Sequence, residues 1–167
     1  MSSLDPRTPV IVGVGQVTNR PDGVTVINDA YNANPDSMRA ALQALAWMAG
    51  QGSRRTWAVL GEMAELGDDA ISEHDRIGRL AVRLDVSRLV VVGIGRSMSA
   101  MHHGAVMEGS WGAQGDRGAV SVTDGDAALA LLRAELQPGD VVLVKASSAA
   151  GLGTLADTLA ADRGVRP

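Results

Sequence analysis

Asp140-Val141-Val142-Leu143-Val144-Lys145 decides the fold. Its four apolar residues stand in an unbroken row, with no polar residue between them. A strand with one face in water alternates apolar and polar side chains, whereas a strand covered on both faces does not. Leu89-Val90-Val91-Val92 repeats the pattern. Both runs therefore predict parallel strands covered on each side by helices. Working outward, further β-branched runs occur at residues 9–14, 24–29, 56–61 and 119–123.

Amphipathic segments separate these runs. Met38, Ala41, Leu42, Leu45 and Ala49 mark one apolar helical face, and Ile77, Leu80, Ala81 and Leu84 a second. Leu129, Leu132 and Leu136 mark a third, and Leu152, Leu155, Ala156 and Leu159 a fourth. Residues 98–108 read as a weaker helix interrupted by Gly104, and the glycine-rich residues 109–118 as a loop. Alternating strands and helices predict an α/β fold, a Rossmann-like three-layer open sheet, mostly parallel, with right-handed crossovers. At the amino end, residues 10–17 and 24–29 flank Thr18-Asn19-Arg20-Pro21-Asp22-Gly23. That connection is too short for a crossover helix, so an antiparallel edge hairpin is expected.

The length of 167 residues suits a single core. Hydrophobic residues make up 46% but aromatics only 2%, with no Phe, so Val, Leu, Ile, Met and Ala are expected to fill the core. A net charge of -4 offers no electrostatic reason to bind nucleic acid. The absence of Cys excludes disulfides, thiolate metal sites and cysteine nucleophiles. No apolar run has bilayer length, and the first residues do not form a basic leader, so a cytoplasmic protein without a membrane partner is expected. No Gly-Lys dipeptide occurs, which excludes a Walker-type phosphate loop. Gly13-Val14-Gly15 and Gly93-Ile94-Gly95 each lack the third glycine of a dinucleotide fingerprint.

Three stretches carry chemistry. Asn28-Asp29-Ala30-Tyr31-Asn32-Ala33-Asn34-Pro35 follows a strand and opens a helix, with Asn34 as N-cap and Pro35 in the first helical position. In open α/β sheets the carboxyl ends of the strands face the ligand crevice. Asp29, Tyr31, Asn32 and Asn34 would gather there, although on physical grounds alone a capped turn that only starts a helix is slightly the better reading. Gly61-Glu62-Met63-Ala64-Glu65-Leu66-Gly67 follows the strand at 56–60, with His74 downstream. On a helical turn Glu62 and Glu65 would face the same way and could hold an ammonium group or share a proton, but from the residues alone a solvated surface turn is the preferred reading. His74 has no second ligand at helical spacing, so no metal site is expected. The adjacent His102 and His103 read as surface. Lys145-Ala146-Ser147 ends the last strand, where the lone lysine and the next helix start could receive a carboxylate or phosphate. An ordinary strand-to-helix turn is the alternative.

Together the Asp29–Pro35 word, the Gly61–Gly67 word with His74, and Lys145-Ala146-Ser147 resemble the carboxy-terminal domain of the Mur ligase family, in its D-alanyl-D-alanine-adding branch. The resemblance runs from about residue 23 to about 162, and departs from the family where Ala146 replaces the usual glycine. It implies a three-domain enzyme using ATP and Mg to join D-Ala-D-Ala to UDP-MurNAc-tripeptide. The amino-terminal and central ligase domains are partners missing from this chain. The isolated chain would be inactive and would bind no cofactor tightly. By motif, Asp29 would meet the nucleotide ribose, Asn32 and Asn34 would line the nucleotide and dipeptide cleft, and Lys145 and Ser147 would border it. Tyr31 lies in the same word; Glu62, Glu65 and His74 receive no individual roles.

Residues 1–20 instead resemble the opening strand of thiolase-type acetyl-CoA acetyltransferases, whose cysteine chemistry is impossible here. Two parts are thus expected: an atypical segment at 1–22, foreign or fused, and the ligase domain at 23–167. The rival readings are a non-catalytic fused or engineered α/β scaffold and a nucleotide module built on Gly93-Ile94-Gly95.

Overall fold

A computed structural model describes residues 15–50, 53–109 and 117–164. In chain order the strands are β1 (Gln16–Asn19), β2 (Thr25–Asp29), β3 (Thr56–Leu60), β4 (Arg88–Val92), β5 (Gly118–Val122) and β6 (Val141–Lys145). The helices are α1 (Pro35–Gly50), α2 (Ala70–Arg83), α3 (Arg96–Gly109), α4 (Gly125–Glu135) and α5 (Gly153–Ala161). The sheet order is β1-β2-β6-β3-β4-β5, parallel throughout except for the antiparallel β1–β2 pair. This is the mostly parallel α/β architecture expected from the sequence, with its edge hairpin.

Period-two geometry explains the unbroken apolar runs. Leu89, Val91, Val141 and Leu143 enter a core shared with α1, α2 and α3. Val90, Val92, Val142 and Val144 enter a second core beneath α4 and α5. Each successive residue therefore serves the opposite layer, and both layers are dry.

Several details differ from expectation. The first strand runs further toward the carboxyl end than expected: Thr18 and Asn19, read as turn, pair with Val26 and Thr25. The reversal spans Arg20 to Val24, closed by Arg20 N–H to Val24 O at 2.8 Å, with Gly23 at φ +83°. An edge strand leaves one side in solvent, so polar residues are tolerated there. Arg20 is buried; it pairs with Asp22 at 2.7 Å and its Nη1 donates to Leu159 O at 3.3 Å. The run at residues 9–14, and residues 110–116 of the expected loop, lie outside the described residues.

Gly104 does not interrupt a helix. A Cβ there would lie 2.4 Å from Asp75 O, and one at Gly78 would lie 1.9 Å from Met101 O. These glycines let α2 and α3 approach at backbone contact, a packing requirement outweighing their low helix propensity. His102 is half-buried rather than a surface residue, with Nε2 3.3 Å from Ala119 O. Trp57 is fully buried, so the core is not purely aliphatic. Its indole N–H donates to Asp140 at 2.9 Å, and the Arg55 and Arg88 guanidinium groups stand 5.6 and 5.0 Å from its ring.

Candidate functional site

The carboxyl ends of β2, β6 and β3 are neighbours, because β6 lies between the other two. The parallel register sets Asp29 beside Lys145, and Lys145 beside Leu60. Asp29 and Lys145 continue the phases of Ile27 and Leu143, so both project toward the α1 layer. There Lys145 Nζ donates to Asp29 Oδ2 at 2.7 Å and to the Asn32 carbonyl at 2.9 Å. The lysine side chain is 3% exposed and the aspartate 19%. The ammonium is thus already neutralised from within, and it fastens the β2–α1 loop to the end of β6. A buried charge requires such a partner.

That loop begins α1 as the sequence suggests. Asn34 Oδ1 accepts from Ser37 N–H at 2.8 Å, while Asn34 N–H donates back to Ser37 Oγ at 3.1 Å. This is a reciprocal cap on a helix that opens with Pro35. Tyr31, Asn32 and Asn34 are exposed, with Tyr31 at 58%.

The β3–α2 loop corrects one expectation. Residues 61–66 are not helical, and Glu65 has φ +62°, so Glu62 and Glu65 do not share a helical turn. Both are exposed. The loop is held by its backbone: Gly61 N–H donates to Lys145 O at 3.0 Å, and Ser147 N–H to Glu62 O at 2.9 Å. These bonds extend the β3–β6 ladder beyond the strand ends. A Cβ on Gly61 would lie 2.8 Å from that of Ala146, so Gly61 makes the room that the Ala146 methyl occupies. Ala146 and Ser147 are themselves buried.

His74 lies apart from the exposed rim, fully buried. Its Nε2 accepts from Met63 N–H at 2.9 Å, and its Nδ1 lies 2.6 Å from Ala70 O. Among the described residues no group of three or more His, Cys, Asp or Glu is placed to hold a metal ion. Sequence reading also passed over Asn28. It is buried in phase with Val26, its Nδ2 donates to Asp157 Oδ1 at 3.0 Å, and its Oδ1 accepts from Ala30 N–H at 3.3 Å. A polar residue on the face of Val24 and Val26 was the available signal.

Asp29, Asn32, Lys145, Ser147 and Glu62 are therefore linked in one network, with Tyr31, Asn34 and Glu65 on the loops it holds. The class is a parallel α/β domain presenting a polar rim at the carboxyl edge of its sheet, where such folds place ligands. A sequence model of the family described as "Mur ligase, glutamate ligase domain" matches residues 15–148. The chain belongs to the Mur ligase family. It is 77% identical over 170 aligned residues to the UDP-N-acetylmuramoyl-tripeptide–D-alanyl-D-alanine ligase of Mycobacterium bovis, covering 96% of this chain and 33% of that protein. The Synechocystis ligase of the same name is 34% identical, over 83% of this chain and 28% of its own length. Among solved structures, MurF from Acinetobacter baumannii superimposes with a TM-score of 0.71 at 28% identity, over 88% of this chain and 30% of that one. MurF from Thermotoga maritima in complex with ADP shares the fold, with a TM-score of 0.63 at 22% identity over 87% of this chain and 30% of that one.

The chain spans about a third of the length of the mycobacterial ligase. The family match begins at residue 15, and the mycobacterial alignment leaves out only 4% of the chain, so it reaches into residues 1–22.

Proposed function

We propose that this chain is the substrate-closing domain of the ATP-dependent amide ligase that adds D-Ala-D-Ala to UDP-MurNAc-tripeptide in peptidoglycan synthesis. The observation that carries the reading is the Asp29–Lys145–Asn32 junction within a chain 77% identical to a ligase of that name. In the proposed reaction, ATP phosphorylates the tripeptide carboxylate, giving an acyl phosphate and ADP. The dipeptide amine attacks the acyl carbon, a tetrahedral intermediate forms, and phosphate leaves as the amide is made.

The chain's own residues supply one wall of that site. Asp29 uses Oδ2 for Lys145, which leaves Oδ1 to accept from a ribose hydroxyl. Tyr31, Asn32 and Asn34 stand exposed along the proposed nucleotide and dipeptide cleft, and Ser147 borders it. Glu62 and Glu65 stand exposed on the β3–α2 loop beside this wall and receive no individual roles. Closure of this wall over the acyl phosphate would exclude water. In this reading the Mg that accompanies ATP sits with the nucleotide's phosphates on domains outside this chain. The same domains must bring the phosphate loop, since the sequence has no Gly-Lys dipeptide. The isolated chain is therefore expected to hydrolyse no ATP and to bind nucleotide weakly. A cytoplasmic location follows from the nature of the substrates. No helix among the described residues is long and apolar enough to cross a membrane.

The test is an NMR titration of the chain with ATP and with D-Ala-D-Ala. Shifts at residues 29–34 and at Ser147 are expected. Shifts confined to Gly93 and Gly95 would mean a different nucleotide module, and no response to either ligand at millimolar concentration would favour a scaffold that retains only the fold. ATPase activity in a pure sample would overturn the proposed dependence on missing domains.

A further inference from the structure

We propose that His74 is the positioning residue of this rim, acting through Met63 and Glu62 on Ser147 and Lys145. The inference rests on the rim being the ligand edge, but its test reads the order of the rim itself and requires no ligand. His74 sits one turn into α2, which begins at Ala70, and is fully buried. Its two ring nitrogens have different tasks. Nε2 accepts the Met63 N–H at 2.9 Å, which requires that nitrogen to be bare. Nδ1 therefore carries the proton and donates to Ala70 O at 2.6 Å. The imidazole is neutral in one tautomer, and a proton on Nε2 would set two donors against each other.

Met63 is 1% exposed and sits in the core, so its N–H has no water to turn to. Holding that N–H orients the peptide unit between Glu62 and Met63. The carbonyl of that same unit belongs to Glu62 and receives Ser147 N–H at 2.9 Å. One residue earlier, Gly61 N–H reaches Lys145 O at 3.0 Å, and Lys145 holds Asp29 and Asn32 O. A continuous path of bonds thus runs from α2 through the β3–α2 loop to the ends of β6 and β2.

The acceptor task and the helix task can be separated by substitution. Gln places its amide oxygen where Nε2 stands, and Asn places polar atoms only where Nδ1 stands. Amide exchange would be followed at Met63, Ser147 and Gly61, with Val90 and Val142 as core references, in His74→Leu, His74→Asn and His74→Gln. In the Leu and Asn variants, protection at Ser147 and Gly61 should fall about tenfold or more relative to the two core amides. In the Gln variant it should recover most of that loss. If protection at Ser147 falls only in step with Val142, or Asn rescues as well as Gln, His74 is a packing or helix-start residue and the proposal fails. The unaltered chain supplies an independent check. Long-range ¹H–¹⁵N correlation should show His74 protonated at Nδ1 and bare at Nε2, and an Nε2–H tautomer would overturn the assignment even if no variant folds.

Discussion

Lys145 shows how one residue changes meaning between a sequence and a structure. As the sole lysine at a strand's carboxyl end it invites an external anion. In the fold its charge is met by Asp29 at 2.7 Å and by the Asn32 carbonyl, so its work is to hold two loops together. Lys145→Met is expected to cost about 2–3 kcal/mol, because it strands a carboxylate that is only partly exposed. Adding Asp29→Asn should recover part of that loss, since the pair then disappears together. Urea unfolding of the two single variants and the double variant measures this, and strictly additive losses would mean the two groups are not coupled. Asn34 behaves as its type suggests, because a helix cap depends only on neighbours in sequence.

Among the elements, the α2–α3 contact depends most on a particular side chain being absent. Gly78 meets the Met101 carbonyl and Gly104 meets that of Asp75, both within the distance a Cβ would need. Arg83 and, less strongly, Arg79 of α2 then reach Glu108 of α3 at 2.7 and 3.3 Å, holding its carboxyl below the usual glutamate range. Gly78→Ala must push the helices apart, since the obstacle is backbone and not a flexible side chain. A loss of about 3 kcal/mol or more is expected, at the upper end of overpacking effects. Thermal unfolding of Gly78→Ala beside the exposed helix substitution Ala40→Gly would decide it, since the second should cost only about 1 kcal/mol from propensity. Equal losses would mean that α2 and α3 have room to spare.

At the level of the whole molecule, the amino-terminal hairpin joins the domain physically. β1 pairs with β2 over four register positions, and Arg20 reaches across to the carbonyl of Leu159 in α5. The segment expected to be atypical thus runs into a strand that completes the sheet edge, and the family match and the mycobacterial alignment both extend into it. Deleting residues 1–20 removes β1 and the Arg20 clamp. The charged hydrogen bonds alone are worth about 2 kcal/mol. For a domain of this size that corresponds to a fall of roughly 4–8 °C in the thermal midpoint. A midpoint that does not move would show that the edge strand contributes nothing to the fold.

Local chemistry carried most of the architecture into the sequence. Apolar runs without alternation, helical stripes and an Asn-Pro helix start each report on neighbours a few residues away, and they determined the α/β class, the positions of β2 to β6 and the presence of an edge hairpin. The Asp29–Pro35 and Gly61–Gly67 words likewise identified the loops that form the rim. Only the tertiary structure decided who touches whom. Asp29 and Lys145 are 116 residues apart, and they meet because β6 is inserted between β2 and β3. That strand order leaves no periodic trace in the sequence. The same holds for Gly104, whose lack of a side chain matters only because α2 packs against it, and for His74, whose partner is a backbone N–H. Hydrogen bonds to the main chain and close contacts depend on distances set by the whole packed chain.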